Sequence, residues 1–555
     1  MKILTKIMYT LHRILGTLLS ILFLVWFLSA FVMMYHGFPR VTTNEQIQKF
    51  DQLSAVVDSL PSIEKITAQL PSNEKIKGVT LNSKKGEMSF HIRTTNDNYD
   101  IAALSTRAST QPTDTKNIEE TAALWCNAPI SHIDTLHKLD QWIPYGELKT
   151  ELPIYKFYFN DKDRHQLYIS SQSGEVLQFT TKSERFWAWV GPIPHWVYFT
   201  WLKQNEELWS TTIITLAAIG CLMVIAGMWV TVDVWRKTRR SRRNKFSPYR
   251  KRWYHWHYVT GIIFGIFVLT FTFSGMMSVA DIPEWIAKST LKNPVKALHA
   301  KAPLPDSYAL DYRSVLKAYP KTKQLQWSNF RAHPYYTLND GQNELYIDAS
   351  DTLIRPLQLT EKEIRKAVES VYLAKNKDGH SSEKKSKSKD SVLAEKQDGK
   401  ENVERGMHAH ENKSNEKQHK EATKPDKQEK SVPMHIELLN HYETYYRDMS
   451  RMYRGRSLLP VWKISVDDAD GSVFYIHPET GNIRYVNTTA RWKYWTYTAL
   501  HRFRFPGLNS NGILRKTLLW VILAGGTVVS ITGVALSVTY IRRKTRKNGH
   551  RRFHK

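Results

Sequence analysis

The chain has 555 residues, enough for several domains, with a formal net charge of +27 and a mean hydropathy of -0.44. Its two cysteines, Cys126 in a polar segment and Cys221 in an apolar one, argue against both a disulfide framework and a cysteine-based metal site. The positive charge flanks apolar stretches, so it reads as membrane orientation and attraction to anionic lipid, with no nucleic-acid partner.

Four stretches carry no charge: Ile14–Tyr35, Trp209–Val232, Tyr258–Ala280 and Thr517–Ile541. Each supplies the roughly 20 apolar residues that cross a bilayer core as a helix. The first is too long for a cleaved signal peptide and has a full-length counterpart in the third. Between the second and third, Arg236–Arg252 holds ten Lys/Arg and no acid, and the tail Arg542–Lys555 holds eight and no acid. The positive-inside rule then places both termini and this loop in the cytoplasm.

The predicted fold is an α-helical membrane protein with four transmembrane helices and two α+β extracytoplasmic domains. In order, 1–36 holds the first span, 37–208 the first outer domain, 209–234 the second span and 235–253 the basic loop. The third span follows in 254–280, the second outer domain in 281–516, the last span in 517–541 and the basic tail in 542–555.

In the outer domains, short β-branched or aromatic runs at 154–159, 165–170, 176–181, 461–466, 472–477 and 483–486 predict two three-stranded meanders. Asn117–Trp125 and Glu361–Tyr372 have helical spacing. The segment 375–430 is dense in Lys, Glu, Ser, Asp and Gln; it cannot bury enough apolar surface to order itself and reads as a disordered insertion.

An internal duplication ties these parts together. His12, Gly16 and Ser29 recur 245 residues later as His257, Gly261 and Ser274. Arg185, Trp189, His195, Phe199, Gly227 and Arg236 recur 306 later as Arg491, Trp495, His501, Phe505, Gly533 and Arg542. Leu152-Pro-Ile-Tyr-Lys156 is matched by Leu459-Pro-Val-Trp-Lys463.

Recurrence reduces 21 histidines to four. His12 and His257 open the first and third spans, where an ionisable group needs a partner. If the halves pack about a pseudo-two-fold axis, the two imidazoles face each other and are expected as the axial ligands of a six-coordinate b-type haem; the alternative is a pair of interfacial histidines contacting headgroups or backbone. Gly16 and Gly261, one turn deeper, leave room for a flat macrocycle or a close helix. His195 and His501, each after an aromatic run, are by the same symmetry expected as a second ligand pair near the outer face; the alternative is a pair of aromatic-belt residues on interfacial helices. His36, His165, His255 and His477 do not recur and read as surface or turn residues; His36 alone is kept as a substitute member of the outer pair or a substrate contact. Phosphate-cradling, zinc-protease, nucleophile-elbow and dinucleotide signatures are lacking.

Leu11-His-Arg-Ile-Leu-Gly16, Ser274-Gly275, Leu500-His501 and the hairpins Tyr168–Gly174 and Tyr475–Gly481 resemble the PepSY-associated transmembrane family. Ser29-Ala30 and Pro194-His195 depart from its pattern. The resemblance implies PepSY-like outer domains and an iron-regulated protein of the bacterial inner membrane. It further implies a di-haem conduit that reduces a ferric siderophore or other ferric chelate on the periplasmic side. A cytoplasmic flavoprotein or a membrane quinol would be the electron donor. Trp189, Arg491, Tyr494 and Trp495 are the aromatic and basic groups expected to dock the chelate. The alternative is a non-enzymatic, membrane-anchored PepSY sensor or peptidase-modulating module.

Overall fold

A computed structural model describes residues 2–71, 74–84, 86–103, 115–240, 247–287, 291, 294–299, 307–372, 432–447, 458–509 and 511–552. The insertion expected at 375–430 lies outside them. Four long helices, Lys2–Met33, Glu206–Arg240, Arg252–Val279 and Gly512–Arg552, carry windows long and apolar enough to cross a membrane. Each covers one of the predicted spans to within two residues, and the chain is a membrane protein.

These helices close into a ring in which the first and third each pack against the second and fourth. Leu19, Phe23, Phe27, Met223, Val268 and Leu523 fill its centre. Phe23 and Phe27 seat in notches left by Gly220 and Gly526, where a Cβ would collide with either ring. Small residues at a helix contact admit close approach.

At one end of the bundle lie three antiparallel sheets. The strands are β1 Gly78–Lys84, β2 Glu87–Arg93, β3 Asn98–Ala102, β4 Ile130–Leu136, β5 Ile154–Phe159, β6 Gln166–Ser170 and β7 Val176–Thr180. The second outer segment adds β8 Gln324–Phe330, β9 His333–Asn339, β10 Glu344–Asp348, β11 Met434–Leu439, β12 Val461–Val466, β13 Val473–Ile476 and β14 Ile483–Val486. Sheet orders are β4-β5-β6-β7, β11-β12-β13-β14 and β10-β9-β8-β1-β2-β3.

The predicted meanders are β5–β7 and β12–β14, but each gains an edge strand, β4 or β11. Most of β4 is exposed, so no alternation of apolar and polar residues marks it. The six-stranded sheet was not anticipated. It joins the two outer segments through β1 and β8, with Thr80 opposite Gln326. Strands β8, β9 and β10 each begin 246 residues after β1, β2 and β3. Thr80 and Gln326 share that spacing, so a local two-fold axis passes between them.

Other matched positions carry matched contacts. Asp140 takes Lys156 and Tyr168 at 2.9 and 2.8 Å, and Glu443 takes Lys463 and Tyr475 in the other domain. Helices Thr115–Trp125 and 361–372 cover the sheets β4–β7 and β11–β14.

Candidate functional site

Near the end of the bundle that carries the basic loop, the His12 and His257 rings face each other with centroids 6.1 Å apart and planes inclined by 33°. His12 Nδ1 donates to the Met223 carbonyl at 3.0 Å. His257 Nδ1 lies 3.0 Å from Thr532 Oγ1. That hydroxyl already donates to the Val528 and Val529 carbonyls, at 2.9 and 2.8 Å, so it accepts from the imidazole.

The second pair repeats this arrangement at the sheet end. The His195 and His501 centroids are 6.2 Å apart, with planes inclined by 57°. His195 Nδ1 reaches Ser29 Oγ and the Trp26 carbonyl, both at 3.1 Å. His501 Nδ1 reaches Ser274 Oγ at 3.0 Å. Ser29 Oγ donates to the Val25 carbonyl at 2.7 Å and Ser274 Oγ to the Phe271 carbonyl at 3.2 Å, which makes both hydroxyls acceptors from the histidines.

All four imidazoles are therefore held in one tautomer. Nδ1–H is spent on the protein and Nε2 keeps its lone pair, the arrangement in which histidine binds a metal. Two metal–nitrogen bonds of about 2.0 Å, with each bonding nitrogen about 1.1 Å from its ring centre, would set the centroids about 6.2 Å apart. Both observed separations fit one metal ion between two imidazoles. A Cβ on Gly261 would meet nothing within 4 Å, and one on Gly16 only Met223 Sδ at 4.0 Å. The open space expected beside the inner pair is present on both helices. Burial lowers the pKa of His195 and of His501, which also feels His195 and Arg502.

Local backbone explains how the outer pair is placed. His195 lies in the short helix Pro192–Trp196, which a left-handed Val197 at φ 54° ends. A Cβ on Gly191, just before it, would lie 2.7 Å from Val32 Cγ1, so glycine lets this helix touch the first span. In the second half a π-helical turn, Tyr494–Ala499, leads into Leu500–Arg502, and left-handed Phe503 at φ 49° ends it. Seventeen residues separate His12 from Ser29, and His257 from Ser274, in the first and third helices. The two pairs are thus about 25 Å of helix apart.

The non-recurring histidines sit elsewhere. His36 stacks on Trp187, centroids 4.3 Å apart, and does not join the outer pair. His477 is in a turn, as expected, but it is buried rather than at the surface, with Nδ1 accepting from the Glu479 backbone N–H at 3.2 Å. His165 stacks on Phe179 and bonds Asp161 at 2.6 Å. Its ligand atoms and those of Asp161 and Cys126 approach within 4.8 Å of one another, a grouping that sequence spacing did not suggest.

The four residues expected to dock a chelate divide. Trp189 lines an open pocket of about 740 Å³ together with His137, Lys138, Lys149, Phe199 and Trp201. Arg491 is committed to the carbonyls of Gly471 and Asp470, fixing a turn of its own domain. Tyr494 is buried and donates to the Arg504 carbonyl at 2.7 Å, while Trp495 donates to Tyr445 Oη at 3.2 Å. Ser29 and Ser274 recur in the sequence, but their role as histidine partners emerges only from the packing. The carbonyls of Met223 and Trp26 carry no side-chain signal at all.

Comparison with known families adds one finding. The model of the PepSY-associated TM region matches residues 101–333, less than half of the chain. The match includes His195, His257 and the second and third long helices, and stops short of His12 on one side and His501 on the other. No curated protein matches the chain.

Proposed function

We propose that the protein is a transmembrane electron conduit holding two b-type haems, one between His12 and His257 and one between His195 and His501. Its substrate would be a ferric chelate of the siderophore class, reduced at the sheet end. The observation that carries this reading is that both histidine pairs, about 25 Å of helix apart, show the spacing and the tautomer needed for one metal ion. The recurrence of positions 245 to 307 residues apart, with equivalent hydrogen bonds, supports an internal duplication that made one imidazole of each pair in each half.

When bound, haem supplies one-electron chemistry without an open coordination position, so the chelate would be reduced through space rather than by binding iron directly. The protein's own contribution is positional. Met223, Thr532, Ser29 and Ser274 hold the imidazoles against rotation, and hydrogen-bonded Nδ1 raises the basicity of Nε2. Phe23 and Phe27 pack the core between the pairs and exclude water from it. At the sheet end, the pocket with Trp189, Lys138 and Lys149 offers aromatic faces and positive charge to an anionic chelate. Ferrous iron binds hard oxygen donors more weakly than ferric iron, so reduction releases the metal.

The basic loop and tail would face the cytoplasm and the sheets the periplasm of a bacterial inner membrane, in keeping with the positive-inside rule. An electron donor, a cytoplasmic flavoprotein or membrane quinol, would serve the His12/His257 end. The test is the oxidised and reduced absorption spectrum of the protein purified in detergent from haem-replete cells. About two b-type haems per chain are expected; a folded, colourless protein would overturn the proposal.

A further inference from the structure

Beside His501, the second half gathers arginines where the first half has aromatic rings. Arg502, Arg504 and Arg515 stand 306 residues after Trp196, Tyr198 and Trp209. The Arg502 guanidinium lies over the Tyr497 ring at 5.1 Å, and that ring is 5.5 Å from His501. Arg447 comes in from the outer domain and lies over Tyr494 at 5.5 Å, while Tyr494 donates to the Arg504 carbonyl. Nε and Nη1 of Arg447 and Nε of Arg504 are buried and have no hydrogen-bond partner among the described residues.

Such an arrangement is costly as it stands. Buried guanidinium nitrogens without acceptors lose their hydration, and like charges held together repel. Burial, then Arg504, Arg484 and Arg502, lowers the Arg447 pKa to about 10. Burial and neighbouring arginines are the largest influences on both Arg447 and Arg504. An anion with two or more oxygens would satisfy the free N–H groups and cancel the repulsion, and the planar arginine fork suits a carboxylate.

We infer that Arg447, Arg502 and Arg504 form a binding site for the carboxylates of a ligand seated beside His501. Carboxylates of that kind have two sources: the acid side chains of a haem held by the outer pair, or an anionic ferric chelate arriving from solution. The first source rests on the proposed function; the second stands without it.

The experiment uses the full chain in detergent, comparing wild type with R447Q/R504Q and with the charge-retaining R504K. Three readouts are taken: the midpoint potential of each haem, the affinity for ferric citrate by tryptophan fluorescence, and thermal melting with and without ferric citrate. If the carboxylates belong to haem, the double variant lowers the potential of one haem, leaves the other unchanged, and binds ferric citrate as before. If they belong to the chelate, both potentials stay and ferric citrate affinity falls at least tenfold, with R504K retaining most of it.

In that second case the double variant, relieved of repulsion, melts no lower than wild type without ferric citrate and gains less on adding it. Unchanged potentials together with unchanged ferric citrate affinity in a folded variant would overturn the site. A double variant that melts lower in every condition, with both other readouts unmoved, would mark the arginines as structural and overturn it equally. A colourless wild type defeats the haem reading alone, since ferric citrate binding still decides the arginine site.

Discussion

The two halves of the molecule meet at the outer histidine pair with matching helix ends and hydrogen bonds but different chemistry. His195 and His501 are each followed, two residues on, by a left-handed residue, and each bonds a serine near the outer end of a long helix. Even the supporting bonds correspond: Trp209 Nε1 donates to the Trp196 carbonyl at 2.8 Å, and Arg515 donates to the Arg502 carbonyl at 3.2 Å. Yet the first half surrounds its histidine with neutral rings and one buried lysine, while the second supplies arginines. The placement of the histidines and their framework bonds correspond in the two halves, whereas the charged surroundings differ.

That comparison can be broken most forcefully at the four histidines. His195→Ala and His501→Ala are expected to lose the same haem, about half of the total, and His12→Ala or His257→Ala the other half, as measured by a haem assay. Unequal losses within a pair would mean that the halves do not share each site.

A second contrast lies at matched glycines. A Cβ on Gly227 would lie 2.5 Å from His12 Cε1, whereas one on Gly533 would lie 3.7 Å from His257 Cε1. Gly227→Ala is expected to displace His12, abolish the inner haem signal and destabilise the bundle by about 1–3 kcal/mol. Gly533→Ala should keep the spectrum and the melting temperature of the parent.

Smaller effects test the supporting shell. Ser29→Ala and Ser274→Ala should each weaken retention of the outer haem by about tenfold, the low end for such partners, because a backbone carbonyl, Trp26 or Phe271, still orients each imidazole. Haem loss on dilution measures this, and a large difference between the two serines would sharpen the asymmetry. The smallest effect on the haems belongs to Lys203, buried against Trp209 at 3.9 Å and Tyr198 at 5.1 Å and paired with Glu206. Lys203→Met should cost about 2 kcal/mol in thermal unfolding, the loss of a desolvated cation–π contact, with both haems retained.

How much was legible in the sequence follows from how local each signal is. Strands β5 and β12 match their predicted bounds, because alternating side chains and flanking turns such as Asn160–Asp163 lie within a few residues. The six-stranded sheet was not legible. Gly78–Lys84 reads as polar, and its apolar face has a purpose only when β8 pairs with it from 246 residues away. The four histidines could be found because recurrence is a long-range signal carried by identity. The same filter necessarily passed over Arg447, Arg502 and Arg504, which matter by failing to recur, and it misjudged the Arg491 guanidinium, which recurs for the sake of a turn.

Each histidine pair draws one imidazole from either half of the chain, and that has a consequence for biogenesis. A ribosome that has released residues 1–240 has made His12 and His195 but neither partner, and β1 still lacks β8. The inner pair is complete once His257 emerges; the outer pair must wait for His501. A cofactor held by the two pairs, as proposed, would load in that order, the His12/His257 end first. Two separately synthesised halves would have the β1–β8 seam as the surface on which to find their register.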